Sequence, residues 1–284
     1  MKTIVITGAT SGIGLAVLKA SLKKGFKVIG IGRNQQIIDD LIQELNEYVL
    51  KEQLVFFKAE LMELNEVKSV ALKIKNHLQE NDNGLLYSLI NNAGCVRNWY
   101  STNSHGYEQQ FALNHLAGFY LTHFLFDCIV KAKGNILITS SKSHMNTKIH
   151  WKDVMFEKQY HPLLVYKQSK LANLLFAYEL NHRYKALGIK AYCINPGLVN
   201  TNIGLKNTGG LVHFIWNIRR RFGVSPEIPA KTYLYLLEEY PSTVDLYFYN
   251  SKSSYYSPQV NLKNSSRLFI LSEQLCNINF GELK

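Results

Sequence analysis

Apolar residues gather along this chain in short runs separated by longer amphipathic stretches. Six runs predict strands: Thr3–Thr7, Lys27–Ile31, Leu54–Lys58, Tyr87–Asn91, Asn135–Thr139 and Ala191–Asn195. Several are apolar almost throughout (IVIT, VIGI, ILIT, AYCI), as strands covered on both faces must be. The stretches between them, of about 12–25 residues, carry helical spacing. In one, Leu113, Leu116, Ala117, Tyr120, Leu121, Phe124, Leu125 and Cys128 recur at i, i+3 and i+4, on one face of an amphipathic helix. Leu15–Lys24 and Val165–Tyr184 read as helices in the same way. Such alternation predicts an α/β fold: a doubly wound parallel sheet covered by helices through right-handed crossovers. No linker rich in Pro, Gly or Ser divides the 284 residues, so one domain is expected. Within it, a loop region lies at about 200–225 and a C-terminal extension at about 240–284.

Composition narrows the setting. A chain of this length buries a core without disulfide or metal staples. No apolar run approaches the ~20 residues that cross a bilayer. The N-terminus, MKTIVITGAT, lacks the long apolar stretch and cleavage site of a secretory signal. Cys95, Cys128, Cys193 and Cys276 stand far apart and form no C-x-x-C pair. That argues against a zinc site or a disulfide framework and suits a reducing, cytoplasmic location; no metal is expected. The unusual bulk property is a formal charge of +11, from 32 Lys and Arg against 21 Asp and Glu. It suits nucleic acid, an anionic membrane surface or a phosphorylated small ligand. Outside Arg219–Arg221 the basic residues stand singly or in pairs such as Lys23-Lys24, and no nucleic-acid-binding pattern is present. Nucleic acid is therefore set aside as a partner.

The chemistry begins where the first strand ends. Thr7-Gly8-Ala9-Thr10-Ser11-Gly12-Ile13-Gly14 joins that strand to a helix with the spacing G-x-x-x-G-x-G. Glycines let backbone N–H groups approach a pyrophosphate, and the helix N-terminus adds unpaired donors and a positive dipole end. At the first strand–helix junction this turn points to nucleotide binding. The second strand runs into Gly30-Ile31-Gly32-Arg33-Asn34, with no acid from Phe26 to Ile38. An acid there would suit the ribose 2′-OH of NAD, whereas Arg suits the 2′-phosphate of NADP. The plain alternative for Arg33 is a solvated loop residue.

Further along, Tyr166 and Lys170 lie i, i+4 on one helical face. A free phenol, with a pKa of about 10, is a poor proton donor or acceptor near neutrality. A neighbouring ammonium favours phenolate and makes the group useful in both directions. Taken with TGATSGIG at 7–14, NNAG at 91–94, Asn114 in a helix, Ser141 after a strand, and Pro196-Gly197-x-x-x-Thr201, this pair resembles the short-chain dehydrogenase/reductase superfamily over nearly the whole chain. The resemblance implies a Rossmann-type sheet and interconversion of a carbonyl and an alcohol. Tyr166 would be the general acid/base, and Ser141, not Ser140, would hydrogen-bond the reacting oxygen. Lys170 would lower the tyrosine pKa and hold the nicotinamide ribose, and Asn114 would position a relay water.

By the same resemblance the cofactor would be met by Gly8, Thr10, Ser11, Gly12, Ile13 and Gly14, and by Arg33 and Asn34. Glu60 and Leu61, then Asn92, Ala93 and Gly94, would follow, with Tyr166, Lys170, Pro196, Gly197, Val199 and Thr201 closing the set. NADP(H) is the expected cofactor, with NAD(H) left open. Two positions depart from the family pattern. Glu60 stands where Asp is usual near the adenine, and Ser11 lacks the basic side chain that some NADP-preferring members carry.

Tyr166-Lys-Gln-Ser-Lys-Leu-Ala-Asn-Leu-Leu-Phe and Leu113-Asn-His-Leu-Ala-Gly-Phe look like the retinol dehydrogenase and WW-domain oxidoreductase branch. The 25-residue interval from Ser141 to Tyr166 fits the same branch. That resemblance implies a lipophilic small-molecule aldehyde, ketone or alcohol as substrate. Membrane-bound relatives carry an apolar anchor before the glycine turn; none is expected here, because the sequence opens on the first strand. After Thr201, an apolar stretch from Leu211 to Ile218 precedes Arg219-Arg220-Arg221. It reads as a lid over an apolar substrate, as an interfacial helix giving peripheral membrane contact, or as an ordinary amphipathic helix. The branch also leaves a homodimer open. The rival reading is a catalytically silent NADP-binding sensor on the same fold, which would have no need of all four of Asn114, Ser141, Tyr166 and Lys170.

Overall fold

The computed structural model describes residues 1–200, 223–239, 241, 242 and 244–281. Thr201 and the 211–221 segment therefore lie outside the described residues. Eight strands form one sheet in the order β3-β2-β1-β4-β5-β6-β7-β8. They are β1 Thr3–Thr7, β2 Lys27–Gly32, β3 Leu54–Lys58, β4 Ser88–Asn91, β5 Asn135–Thr139, β6 Lys190–Ile194, β7 Tyr247–Tyr249 and β8 Lys252–Ser253. The first seven run parallel, and β8 turns back antiparallel to β7. The six expected strands are present within a residue at each end. The last two lie in the C-terminal extension, which the sequence reading left without strands. They join through Asn250 and Ser251, both at positive φ, the backbone of a two-residue hairpin.

Side-chain parity along the strands builds two cores. In β1, Val5 faces one way while Ile4 and Ile6 face the other, and in β5 Ile136 and Ile138 oppose Leu137. The first face is covered by α4 (Leu64–Asn81), α6 (Ala117–Ala132), α7 (Pro162–Arg183) and α9 (Leu262–Cys276), the second by α1 (Gly12–Lys23) and α8 (Glu227–Glu239). Short helices α2 (Gln35–Glu44) and α3 (Asn46–Leu50) link β2 to β3, and α5 (Gln109–Phe111) precedes α6. Because β1, β2 and β3 step one way and β4 returns to the other side of β1, the winding reverses between β1 and β4. Ligands of open α/β sheets bind at the carboxyl ends of the strands flanking that reversal.

Between α5 and α6, Ala112–Leu116 is a π-helical turn, closed by Ala117 N–H to the Ala112 carbonyl. Asn114, expected in an ordinary helix, lies in this turn. Single π turns inside helices recur at functional sites because they re-aim side chains and backbone groups. The C-terminal extension is part of the body of the domain. Leu268, Phe269, Cys276 and Phe280 belong to the first core, and α9 packs on α7.

Candidate active site

A cleft of about 830 Å³ opens over the carboxyl ends of the strands. One end is framed by the glycine turn. Gly8 and Gly12 take positive φ, +66° and +55°, where a Cβ is strained. Gly14 lies beneath: a Cβ there would stand 2.2 Å from the Gly8 carbonyl oxygen and 2.7 Å from Asn92 Nδ2. Gly14 thus packs the helix against the turn and does not line the cleft, whereas Gly8, Thr10, Ser11, Gly12 and Ile13 do.

Thr7 joins this turn to the one after β4, a role the sequence reading did not assign. Its Oγ accepts from the backbone N–H of Asn92 at 2.8 Å and of Ala93 at 2.9 Å, while Asn92 Nδ2 donates to the Thr7 carbonyl at 3.1 Å. Asn92, Ala93 and Gly94 all line the cleft. Beside β2 and β3, Arg33 and Glu60 reach each other at 3.5 Å as an exposed pair, and Leu61 follows them on the wall. Asn34 differs from expectation. Its side chain accepts from Ile37 N–H at 3.2 Å and caps α2, and it does not line the cleft. Pro196, Gly197 and Val199 close the far wall.

The other end gathers Ser141, Tyr166 and Lys170. Lys170 is only 2% exposed. Its Nζ donates to the Thr139 carbonyl at 3.3 Å and stands 5.5 Å from the centroid of the Tyr166 ring. Burial, opposed by the neighbouring Cys95 and Cys193, lowers the ammonium pKa from 10.5 to about 8. The adjacent serines have separate environments. Ser140, fully buried, donates its hydroxyl to the Lys170 carbonyl at 2.9 Å. Ser141 Oγ faces the cleft and accepts from Ser143 N–H at 3.2 Å.

Asn114 stands behind this group and is not on the cleft wall. Its Oδ1 accepts from Cys95 N–H at 2.7 Å, and its Nδ2 donates to the Cys95 carbonyl at 3.0 Å and to Ser169 Oγ at 3.0 Å. The amide therefore clasps the segment after Gly94 to α7, one residue before Lys170. Burial pushes the Cys95 thiol up to about 12, so this cleft-lining cysteine is inert.

Two further residues hold the site from behind, and neither was singled out from sequence. His144 Nδ1 bonds the Ser141 carbonyl at 2.6 Å, and its Nε2 accepts from Ser257 N–H at 3.2 Å. Acceptance at Nε2 makes Nδ1 the protonated nitrogen, and burial lowers the pKa of this neutral ring. Asn173 donates to the same Thr139 carbonyl as Lys170, at 3.1 Å, and meets His115 Nδ1 at 3.4 Å. Both are legible only in three dimensions, since their partners lie far away along the chain.

The arrangement is a cleft with a glycine cradle at one end and a hydroxyl, phenol and ammonium at the other. A model of the short chain dehydrogenase family matches residues 2–209. Retinol dehydrogenase 12 of Mus musculus is 31% identical over 283 residues, 98% of this chain and 87% of that protein. Retinol dehydrogenase 11 of Homo sapiens is 32% identical over 235 residues, 82% of this chain and 72% of that protein. Among solved structures, an uncharacterized protein from Mycobacterium Paratuberculosis superposes with a TM-score of 0.75 at 26% identity, covering 99% of this chain and 95% of that one. The NADPH bound carbonyl reductase from chicken fatty liver, 21% identical with a TM-score of 0.68 over 90% of this chain and 99% of that one, is similar in fold. The chain belongs to the short-chain dehydrogenase family of oxidoreductases, in its retinol dehydrogenase-like branch.

Proposed function

We propose that the protein is an NADP(H)-dependent oxidoreductase that interconverts a carbonyl and an alcohol on a lipophilic substrate. The observation that carries this reading is the placement of the Lys170 ammonium against the Tyr166 ring, in the same cleft as the glycine cradle. The cradle suits a dinucleotide: Gly8 and Gly12 line the cleft at positive φ, where a side chain is strained, and leave backbone open to a close-lying pyrophosphate. Gly12 and Ile13 start α1, whose N-terminal amides and dipole suit a pyrophosphate. Arg33 at the rim suits a 2′-phosphate, for which it would exchange its Glu60 partner. NADPH-bound carbonyl reductase and the two retinol dehydrogenases are consistent with this reading.

When bound, the nicotinamide supplies or accepts the hydride. Tyr166 gives a proton to the carbonyl oxygen during reduction and takes it from the alcohol during oxidation. Ser141, whose Oγ accepts from the Ser143 amide, has its own proton to donate to the same oxygen. Lys170 holds positive charge beside the phenol, which favours the phenolate and readies Tyr166 for both directions. Asn114 has its side-chain amide engaged three times, so a relay water in this turn would be held by its backbone carbonyl. Leu113, Leu163, Leu198 and Val199 give the catalytic end an apolar wall, which suits a lipophilic substrate.

A screen of NADPH consumption over aromatic, steroid-like, retinoid and long-chain aldehydes and ketones tests the assignment. Turnover of at least one class is expected. NADPH binding without turnover of any would return the reading to a sensor.

A further inference from the structure

The charges on the cleft wall do not cancel. Among the described lining residues five are basic, Arg33, Arg97, Lys142, Lys167 and Lys170, and one is acidic, Glu60. Arg33 has Glu60 beside it and Lys170 belongs to the tyrosine. Three cations are left at the catalytic end: Lys142 follows Ser141, Lys167 follows Tyr166, and Arg97 lies three residues beyond Gly94.

Arg97 is the built one of the three. It is only 7% exposed and held at several points. Its Nε donates to Gln109 Oε1 at 2.8 Å, and its carbonyl accepts from the Tyr160 hydroxyl at 3.3 Å and from Gln110 Nε2 at 3.5 Å. Its terminal guanidinium nitrogens make no hydrogen bond and no ion pair with any described residue. The carboxylate whose field reaches it is Glu108, beyond ion-pair range. That group is fully buried and engaged elsewhere, accepting from Phe111 N–H at 2.7 Å and from the Tyr160 hydroxyl at 3.2 Å. Residues 201–222 contain no Asp or Glu that could serve instead. Lys142 and Lys167 likewise form no ion pair among the described residues.

A guanidinium sequestered from water with no anion in ion-pair contact is costly, and the cost falls when a ligand supplies one. The planar fork of Arg suits a bidentate oxyacid, and unpaired lysines at the mouth attract the same charge from solution. We propose that the substrate is amphipathic and anionic: a carbonyl or alcohol joined through an apolar stretch to a carboxylate, or to another oxyacid such as a phosphate monoester, which Arg97 receives. This rests on the oxidoreductase reading and adds to it a substrate class.

The test compares a neutral long-chain aldehyde with aldehydes of equal length bearing an ω-carboxylate or an ω-phosphate, using wild type and Arg97→Met. Wild type is expected to favour one of the charged substrates in kcat/KM, with the advantage shrinking as salt rises; the better one identifies the acid. In Arg97→Met the charged-to-neutral ratio is expected to fall about tenfold or more, mainly through KM, as loss of a charged hydrogen bond entails. Titration of wild type with a long-chain carboxylate and the matching alcohol, read by tryptophan fluorescence, needs no turnover and no variant; tighter binding of the carboxylate is expected. A wild-type ratio near one with equal binding of the two probes would overturn the proposal. So would an Arg97→Met variant that folds but slows both substrates equally. If no aldehyde is turned over while the carboxylate still binds preferentially, the oxidoreductase reading fails and the anion site stands.

Discussion

The Lys170 ammonium is buried 5.5 Å from the centre of the Tyr166 ring, anchored by the Thr139 carbonyl at 3.3 Å. A charge desolvated in that position costs stability, and the proposed function gives it a use beside the phenol. Burial lowers its pKa to about 8, so the protonated form is disfavoured relative to water but persists at neutral pH.

Lys170→Met is therefore expected to leave the cofactor-free protein as stable as wild type or to raise its Tm by a few degrees, since an apolar chain replaces a desolvated charge. The same variant should lose about 100-fold or more in kcat. Calorimetry beside steady-state kinetics checks both. A lower Tm with ordinary turnover would contradict the role.

Asn114→Ala removes the acceptor for Cys95 N–H and the donor to the Cys95 carbonyl and Ser169 Oγ. A buried backbone amide left unpaired costs about 1–3 kcal/mol. Urea denaturation is expected to show a loss of at least that size, with reduced kcat because Lys170 is one residue from the released Ser169. A denaturation midpoint unchanged from wild type would exclude the clasp.

Arg33 and Glu60 meet at the rim, 3.5 Å apart. So exposed a pair adds little to stability, and under the proposed function its effect is expected on cofactor choice. Arg33→Asp is expected to shift the ratio of kcat/KM values from NADPH toward NADH, by repulsion of a 2′-phosphate. Glu60→Gln should move the ratio the other way, because Arg33 loses its competing carboxylate. Fluorescence titration with each cofactor checks affinity separately. No movement in either variant would take both residues out of cofactor choice.

Protonation equilibria also shape stability. Burial lowers the His115 pKa from 6.5 to about 4. Between those values the unfolded chain binds a proton that the folded chain refuses, so stability is fully present above pH 6.5 and falls as pH drops toward 4. The loss from this residue is about 3 kcal/mol, and His144 adds to it in the same direction. Denaturant midpoints measured from pH 7.5 to 4 should decline, and His115→Gln should flatten the decline. An equal decline in the variant would place the acid sensitivity elsewhere.

The sheet was legible where strands are covered on both faces, because continuous apolar runs such as those of β1 and β5 have one plausible use. Strand β7 has three residues and β8 two, too short for any run to register, and their turn is Asn250-Ser251, not the usual glycine pair. In the site, residue type and spacing marked the glycine turn, Arg33, Tyr166 and Lys170, and the fold brings them to one cleft. Thr7 and His144 were not, since their roles lie in hydrogen bonds to Asn92 and Ala93 and to Ser257, formed only on folding. Asn34 went the other way: its position after β2 suggested a cofactor contact, while its local backbone makes it a helix cap. Arg97 gains its proposed role from the lack of an ion-paired carboxylate among the described residues, which no one-dimensional pattern encodes. The bulk charge of +11 pointed to a phosphorylated ligand or an anionic surface, and part of it lies along the cleft.

The central claim is that Tyr166 moves the proton while the chain's cradle holds the dinucleotide. Its most direct test is Tyr166→Phe, with NADPH affinity measured by fluorescence titration and turnover measured on the best carbonyl found for wild type. NADPH binding within about twofold of wild type and a loss of about 100-fold or more in kcat are expected. Near-normal turnover in the phenylalanine variant would contradict the account.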